Sequence, residues 1–409
     1  MSRRVVITGL GAISPIGNNV QENWDSCLSG KSGIKTIAHE WTSNLNTKFG
    51  GLIKIDPLEK LDKVQARRMD RSSQLGIIAV KEAWLDAGKP EINPERLGVF
   101  FGSGIGGLST VLEQYDVLKN RGPERVNPMT VPMIMPNSAA AMVGLEVGAQ
   151  AGVHSPVSAC ATSAEAIAGG FEMIKNNRAD IVVSGGAEAC VIQLAIAAFN
   201  SMRALSTNNE NPEKASRPYD EKRDGFVMSE GAACLILEEE NHALKRGAKI
   251  YGVVSGAGIT SDGYHIAAPE PEGKGAARAI QNALANAGIK ASEIGHINAH
   301  ATSTPVGDIA ESKAMNLALG NQINEIIVSA TKSMTGHLLG GAGALESIFC
   351  ILALKDGKAP GTINLENKDK EINLNVFSKT QDLDSKFKYA LNNSFGFGGH
   401  NVCLVLAKN

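Results

Sequence analysis

The sequence predicts an α/β fold built from two related halves, and three observations carry that expectation. Short β-branched runs alternate with longer helical patterns along the 409 residues. The strand candidates lack polar alternation, as strands in sheets covered on both faces do. Finally, two pairs of stretches recur in the same order. "TGLGAIS" at 8–14 resembles "SGAGITS" at 255–261, and "GFVMSEGAACLIL" at 225–237 resembles "SFGFGGHNVCLVL" at 394–406. The second pair shares Phe226/Phe395, Cys234/Cys403, Leu235/Leu404 and Leu237/Leu406.

The elements follow in chain order. "VVIT", Val5–Thr8, is an apolar first strand that glycine interrupts, and is too short for a signal peptide. A helix is expected over Arg71–Ala87, then a strand at Val99–Gly102. "SPVSA" reads as strand-like and leads into a helix over Ala161–Asn176, where Ile167, Phe171 and Ile174 share one face. Strands at Ile181–Ser184, Cys234–Leu237 and Ile250–Val254 precede helices at Gly275–Ala287 and Ile309–Leu317. Strands at Ile326–Ser329 and Val402–Leu406 complete the set. The repeat offset falls from 247 to 169, so the first half carries extra segments, expected at Gly106–Pro136 and Asn200–Asp224. The junction between halves is expected near Lys245–Tyr251, dividing the chain into 1–248 and 249–409.

Composition narrows the function classes. A net charge of −2 gives no reason to expect nucleic acid or an anionic membrane as partner. No apolar run reaches the roughly 18 residues of a membrane span. Six scattered cysteines without a C-x-x-C suggest neither a zinc site nor a disulfide scaffold, and a reduced cytoplasmic setting is expected. The 44 glycines fall in short clusters, as tight strand-to-helix turns require. One cluster, "GSGIGG" at 102–107, has the form of a dinucleotide loop, but no strand ending in an acid follows it at the right distance.

The chemistry concentrates in three places. Cys160 sits at a strand-to-helix elbow among small residues, where a helix N-terminus is expected to favour thiolate. "INAHATSTPVGD" carries His300 from a strand end into a loop of small hydroxylated residues. "SATKSMTGHLLGGAGALES" does the same for Lys332 and His337, ahead of a helix bearing Glu346. A cysteine with two histidines is compatible with a protease, where one histidine is the base. Two histidines without orienting carboxylates suit another task better: donating to an oxygen that becomes negative. Carbon–carbon bond formation therefore fits better than hydrolysis.

These motifs resemble the β-ketoacyl-acyl-carrier-protein synthases of the thiolase superfamily, most nearly the type II group of fatty acid elongation. The resemblance runs through "VVITGLGAISPIG", "GSGIGG", "SACATSAEAI", "SRPYDEKRDGFVMSEGA", "SDGYH", "NAHATSTPVGD", "TKSMTGHLLGGAGALE" and "NNSFGFGGHN", over essentially the whole chain. It implies thiolase-like duplicated βαβ halves in α-β-α-β-α layers, a decarboxylative Claisen condensation on acyl carrier protein, a homodimer, and no metal or organic cofactor. Cys160 would be the acylated nucleophile, and His300 and His337 would stabilise an enolate. Lys332, beside Glu346, would support them. The N–H groups of Cys160 and Phe397 would form an oxyanion hole, with Phe397 also a gate. Ile105 would bound the acyl pocket. Thr302, Thr304, Phe395 and Gly398 would line the substrate path. Lys63, Arg67, Arg68 and Arg71 are candidate carrier-protein contacts. Ala301, Ala267 and His400 depart from the family pattern. The rival readings are a type I or polyketide-type ketosynthase, a degradative thiolase using Cys403, and a non-catalytic partner subunit.

Overall fold

The structure, a computed structural model, describes residues 3–409. Ten strands form one mixed sheet: β1 Val5–Ile13, β2 Leu97–Gly102, β3 Gly152–His154, β4 Ile181–Glu188, β5 Gly231–Glu239, β6 Gly252–Ser261, β7 Ile294–Asn298, β8 Ile327–Ser329, β9 Tyr389–Gly396 and β10 His400–Ala407. Their lateral order is β8-β7-β9-β10-β6-β1-β5-β4-β2-β3. Outward from the centre, each half runs first, fifth, fourth, second, third. In both, the inner pairs are antiparallel and the outer pairs parallel. Within this sheet the halves meet where Val5–Ile7 pairs with Gly252–Val254.

Six helices make the layers: α1 Arg71–Asp86, α2 Ser138–Val147, α3 Thr162–Lys175, α4 Lys274–Ala287, α5 Pro305–Leu319 and α6 Ala342–Asp356. α1 and α2 cover the outer face of the first half, and α4 with α5 beside it covers the second. Between the halves lie α3 and α6, each touching strands of both. α6 is buried from Ala342 to Leu354, which is why it shows no amphipathic period. The α-β-α-β-α layering and duplicated halves expected from the sequence are what the chain forms.

The repeated glycines have a packing cause. A Cβ on Gly11 would lie 1.9 Å from the Ala79 carbonyl oxygen, and one on Gly258 would lie 2.0 Å from that of Ala279. Gly9 and Gly256 meet Ala83 and Ala283 in the same way. Each half thus seats the backbone of an outer helix directly on its first strand. Both halves also carry the same bulge, skipping Thr8 in β1 and Ser255 in β6. Glycine here does not end the strand: β1 continues to Ile13 and β6 to Ser261, past the expected limits.

Other segments differ from expectation. The strand before Cys160 is Gly152–His154, one step upstream of "SPVSA". The segment Gly106–Pro136 contains the helices Leu108–Arg121 and Thr130–Ile134. "GSGIGG" therefore does precede a helix, but a buried carboxylate of the protein itself occupies its loop (below). The two outer edges of the sheet are unlike. The β8 edge is covered, with the Val328 N–H donating to the Asn375 carbonyl at 3.0 Å and Val328 bridged to Val376. β3 ends the sheet at the other side. Among the described residues, no helix is long and apolar enough to cross a membrane.

Candidate active site

The ends of β2, β7 and β9 and the loops after them open onto one cavity of about 690 Å³. The extended segment before Cys160 turns at Ala159, whose φ is +49°, through a short 3₁₀ turn into α3. That strained elbow turns Cys160 toward the cavity. His300 leaves β7, and His337 follows a short helix, Lys332–Thr335. The Cys160 sulfur and ring nitrogens of both histidines lie within 4.8 Å of one another. The imidazoles meet edge to face at 5.4 Å and 82°. Phe226 packs against His337, and Phe395 against His300.

Burial sets the charge states. It pushes both imidazoles well below the usual histidine range, and the Lys332 ammonium adds to that. Both rings are neutral. Neither ring nitrogen of His337, nor Nδ1 of His300, has a hydrogen-bond partner among the described residues. Such buried unpaired groups await a polar partner. The Cys160 thiol is pushed up to about 12, chiefly by burial. Lys332 and the N–H groups of Phe397 and Cys160, which donate toward the sulfur, pull the other way. Burial thus opposes the thiolate that the helix N-terminus is expected to favour. Sulfur with two imidazoles is also a ligand type that soft metals take.

Lys332 does not line the cavity; it lies beneath it, bonded to Glu346 at 2.5 Å with both groups buried. Ile105, Thr302, Thr304, Phe395 and Phe397 line the cavity. The two threonine hydroxyls are 3.1 Å apart. Phe397 is 37% exposed and leans on Phe199. Gly398 is not brought to the cavity; it turns the loop at φ +86° and donates to the Ile266 carbonyl. Of the departures, Ala267 lines the cavity, whereas His400 is exposed outside it. Ala301 adopts φ +20°, held because Glu311 accepts the His300 and Ala301 N–H groups at 2.8 and 2.6 Å. Arg71 makes a bidentate pair with Glu230 through Nε and Nη2, both bonds 2.7 Å, and its side chain stays partly exposed. Lys63, Arg67 and Arg68 are exposed. Cys403 is fully buried in β10, far from thiolase-like use.

Sequence reasoning missed Glu188, Glu311 and Arg223. Arg223 ties the Thr304 and Pro305 carbonyls to Asp369. The repeated strand-end positions could have pointed to Glu188.

This fold and cavity define a condensing-enzyme class, and comparison with known proteins agrees. The chain matches the model of the β-ketoacyl synthase N-terminal domain over residues 2–243 and of its C-terminal domain over 251–366. It belongs to the β-ketoacyl synthase family. Among its relatives is 3-oxoacyl-[acyl-carrier-protein] synthase 2 of Synechocystis sp., 45% identical over 99% of this chain and 98% of that one. The protein of that name in Staphylococcus aureus (strain COL) is also 45% identical, over 100% and 99%. A β-ketoacyl synthase from Burkholderia phymatum superposes with a TM-score of 0.92 at 32% identity, covering both chains fully. A type II polyketide ketosynthase, solved with its acyl-carrier protein, gives 0.91 at 31%, again over both full chains.

Proposed function

We propose that this chain condenses an acyl group with a malonyl group, both carried on acyl carrier protein, giving 3-oxoacyl carrier protein, CO2 and free carrier in fatty acid elongation. One observation carries the reading. A buried thiol and two neutral imidazoles with unpaired nitrogens converge on a cavity bordered by the Cys160 and Phe397 N–H groups.

In the first half-reaction the Cys160 sulfur attacks the carrier thioester. Its proton passes to a neutral imidazole and on to the departing pantetheine sulfur, so the acyl–sulfur bond is exchanged without net charge. In the second, the malonyl C–C bond breaks and its electron pair becomes an enolate. The enolate oxygen sits between His300 and His337, which, being uncharged, donate to it without neutralising the nucleophile. The enolate carbon attacks the Cys160 thioester, and the tetrahedral oxyanion faces the N–H groups of Cys160 and Phe397. Collapse leaves thiolate, which a proton restores to thiol. Lys332 with Glu346 supports this geometry from below. Ile105 and Phe395 bound the acyl chain, Thr302 and Thr304 meet the pantetheine arm, and Gly398 acts through the shape of the Phe397 loop.

Lys63, Arg67 and Arg68 are the exposed cations proposed to meet the carrier. A homodimer is proposed through the open edge of β3, around which Val131, Leu145 and Val153 are 62, 76 and 43% exposed. Incubation with acyl carrier protein is expected to leave one acyl group on Cys160 by mass spectrometry, and malonyl carrier protein to discharge it as 3-oxoacyl product. Cys160→Ala is expected to lose both. A wild-type protein that takes up no acyl group from an active carrier would overturn the reading.

A further inference from the structure

The duplication makes two elbows, and only one carries a thiol. The turn Ala159–Ala161 before α3 recurs as Leu339–Gly341 before α6, with φ +49° at Ala159 and +44° at Leu339. Gly340 therefore occupies the place of Cys160. The strands beside the two elbows also correspond. β4 ends at Glu188 opposite Gly231, and β9 ends at Gly396 opposite His400. At the Cys160 elbow the strand end must be bare: a Cβ on Gly396 would lie 2.4 Å from the Ser158 oxygen and 3.1 Å from the Cys160 nitrogen. At the other elbow that position bears a carboxylate.

Glu188 is fully buried, and every group bonded to it is a donor. Its Oε1 accepts from the Ser103 hydroxyl at 2.7 Å and the Ile105 N–H at 3.3 Å. Its Oε2 accepts from the N–H groups of Gly104 at 2.9 Å and Gly340 at 3.1 Å. Ser103 passes the contact on, accepting from the Gly106 N–H at 2.9 Å. The fit leaves no slack, since a Cβ on either Gly104 or Gly340 would come within 2.9 Å of Oε2. We infer that Glu188 is a positioning residue joining the acyl-pocket loop that carries Ile105 to the turn that follows His337. One buried carboxylate then sets both chain-length selection and the geometry of the enolate site. Burial raises the group to about 7 even with these four donors pulling it toward ionisation.

The inference rests on the condensing reading, and its test separates the two. Glu188→Gln keeps the volume but leaves one acceptor oxygen where two stood, so its NH2 faces one of the two donor pairs, Gly104 with Gly340 or Ser103 with Ile105. In the folded variant, hydrogen exchange at the amides that lose their acceptor, those of Gly104 and Gly340 or that of Ile105, is expected to rise about tenfold or more. The kcat of condensation is expected to fall about tenfold, with the KM for malonyl carrier protein within about threefold of wild type. The preference between the best acyl chain and one four carbons longer should narrow by about threefold. Ser103→Ala, which spares the carboxylate, should loosen only 104–106 and shift chain preference more than kcat; it decides the matter if Glu188→Gln does not fold. Wild-type exchange at Gly104, Ile105 and Gly340 alike in folded Glu188→Gln, or wild-type exchange at 104–106 with an unchanged chain-length profile in Ser103→Ala, would overturn the tether. A wild-type protein that does not condense would remove the condensing reading, while the exchange measurement would still decide the tether.

Discussion

Burial favours a protonated thiol beside two uncharged imidazoles, and that arrangement has a measurable signature. Because burial holds the Cys160 thiol near 12, its alkylation by iodoacetamide should rise about tenfold per pH unit from pH 7 to 10. An early plateau near pH 8 would show that the helix N-terminus dominates after all. The Lys332–Glu346 pair gives a second test. Glu346 is already raised to about 7 by burial, with Lys332 opposing. Lys332→Met removes that opposition and raises it further. A carboxyl raised on folding stabilises below its unfolded value near 4.5 and loses that contribution as pH rises. The variant's loss of stability, about 3–5 kcal/mol at pH 8, should therefore shrink at pH 5 in thermal melts. Cys160, His300 and His337 were legible because each stands in a short, recognisable loop. Glu188 and Glu311 were not, since each acts on backbone N–H groups that the chain brings to it from elsewhere.

Strands and helices follow the same division. The alternation of apolar runs located most elements, and the matched glycines exposed the duplication. Their cause, a helix backbone lying on each strand, predicts that Gly11→Ala and Gly258→Ala are comparably damaging. Each should cost about 1–3 kcal/mol or more, read as a lowered Tm. A tolerated substitution in either half would break the equivalence. Strand β9 stayed hidden because "NNS" is polar. Asn392 is buried there with its amide NH2 donating to the Gly343 carbonyl and the Ser347 hydroxyl. The limits of β1 and β6 were misjudged because glycine was read as a break, where close packing made it a necessity.

For the molecule as a whole, the proposed dimer can be tested at the exposed apolar face. Leu145→Asp is expected to give a monomer by light scattering without loss of helical content; an unchanged mass would place the interface elsewhere. The unequal edges of the sheet decide what such pairing can become. With β8 capped by its own chain, strand addition is available at one end only. A molecule with two open edges could pass neighbours along without limit, as fibres do. Among the described residues the ten-stranded sheet has a single open end, so joining two copies edge to edge there uses it up and growth of that sheet terminates at the pair.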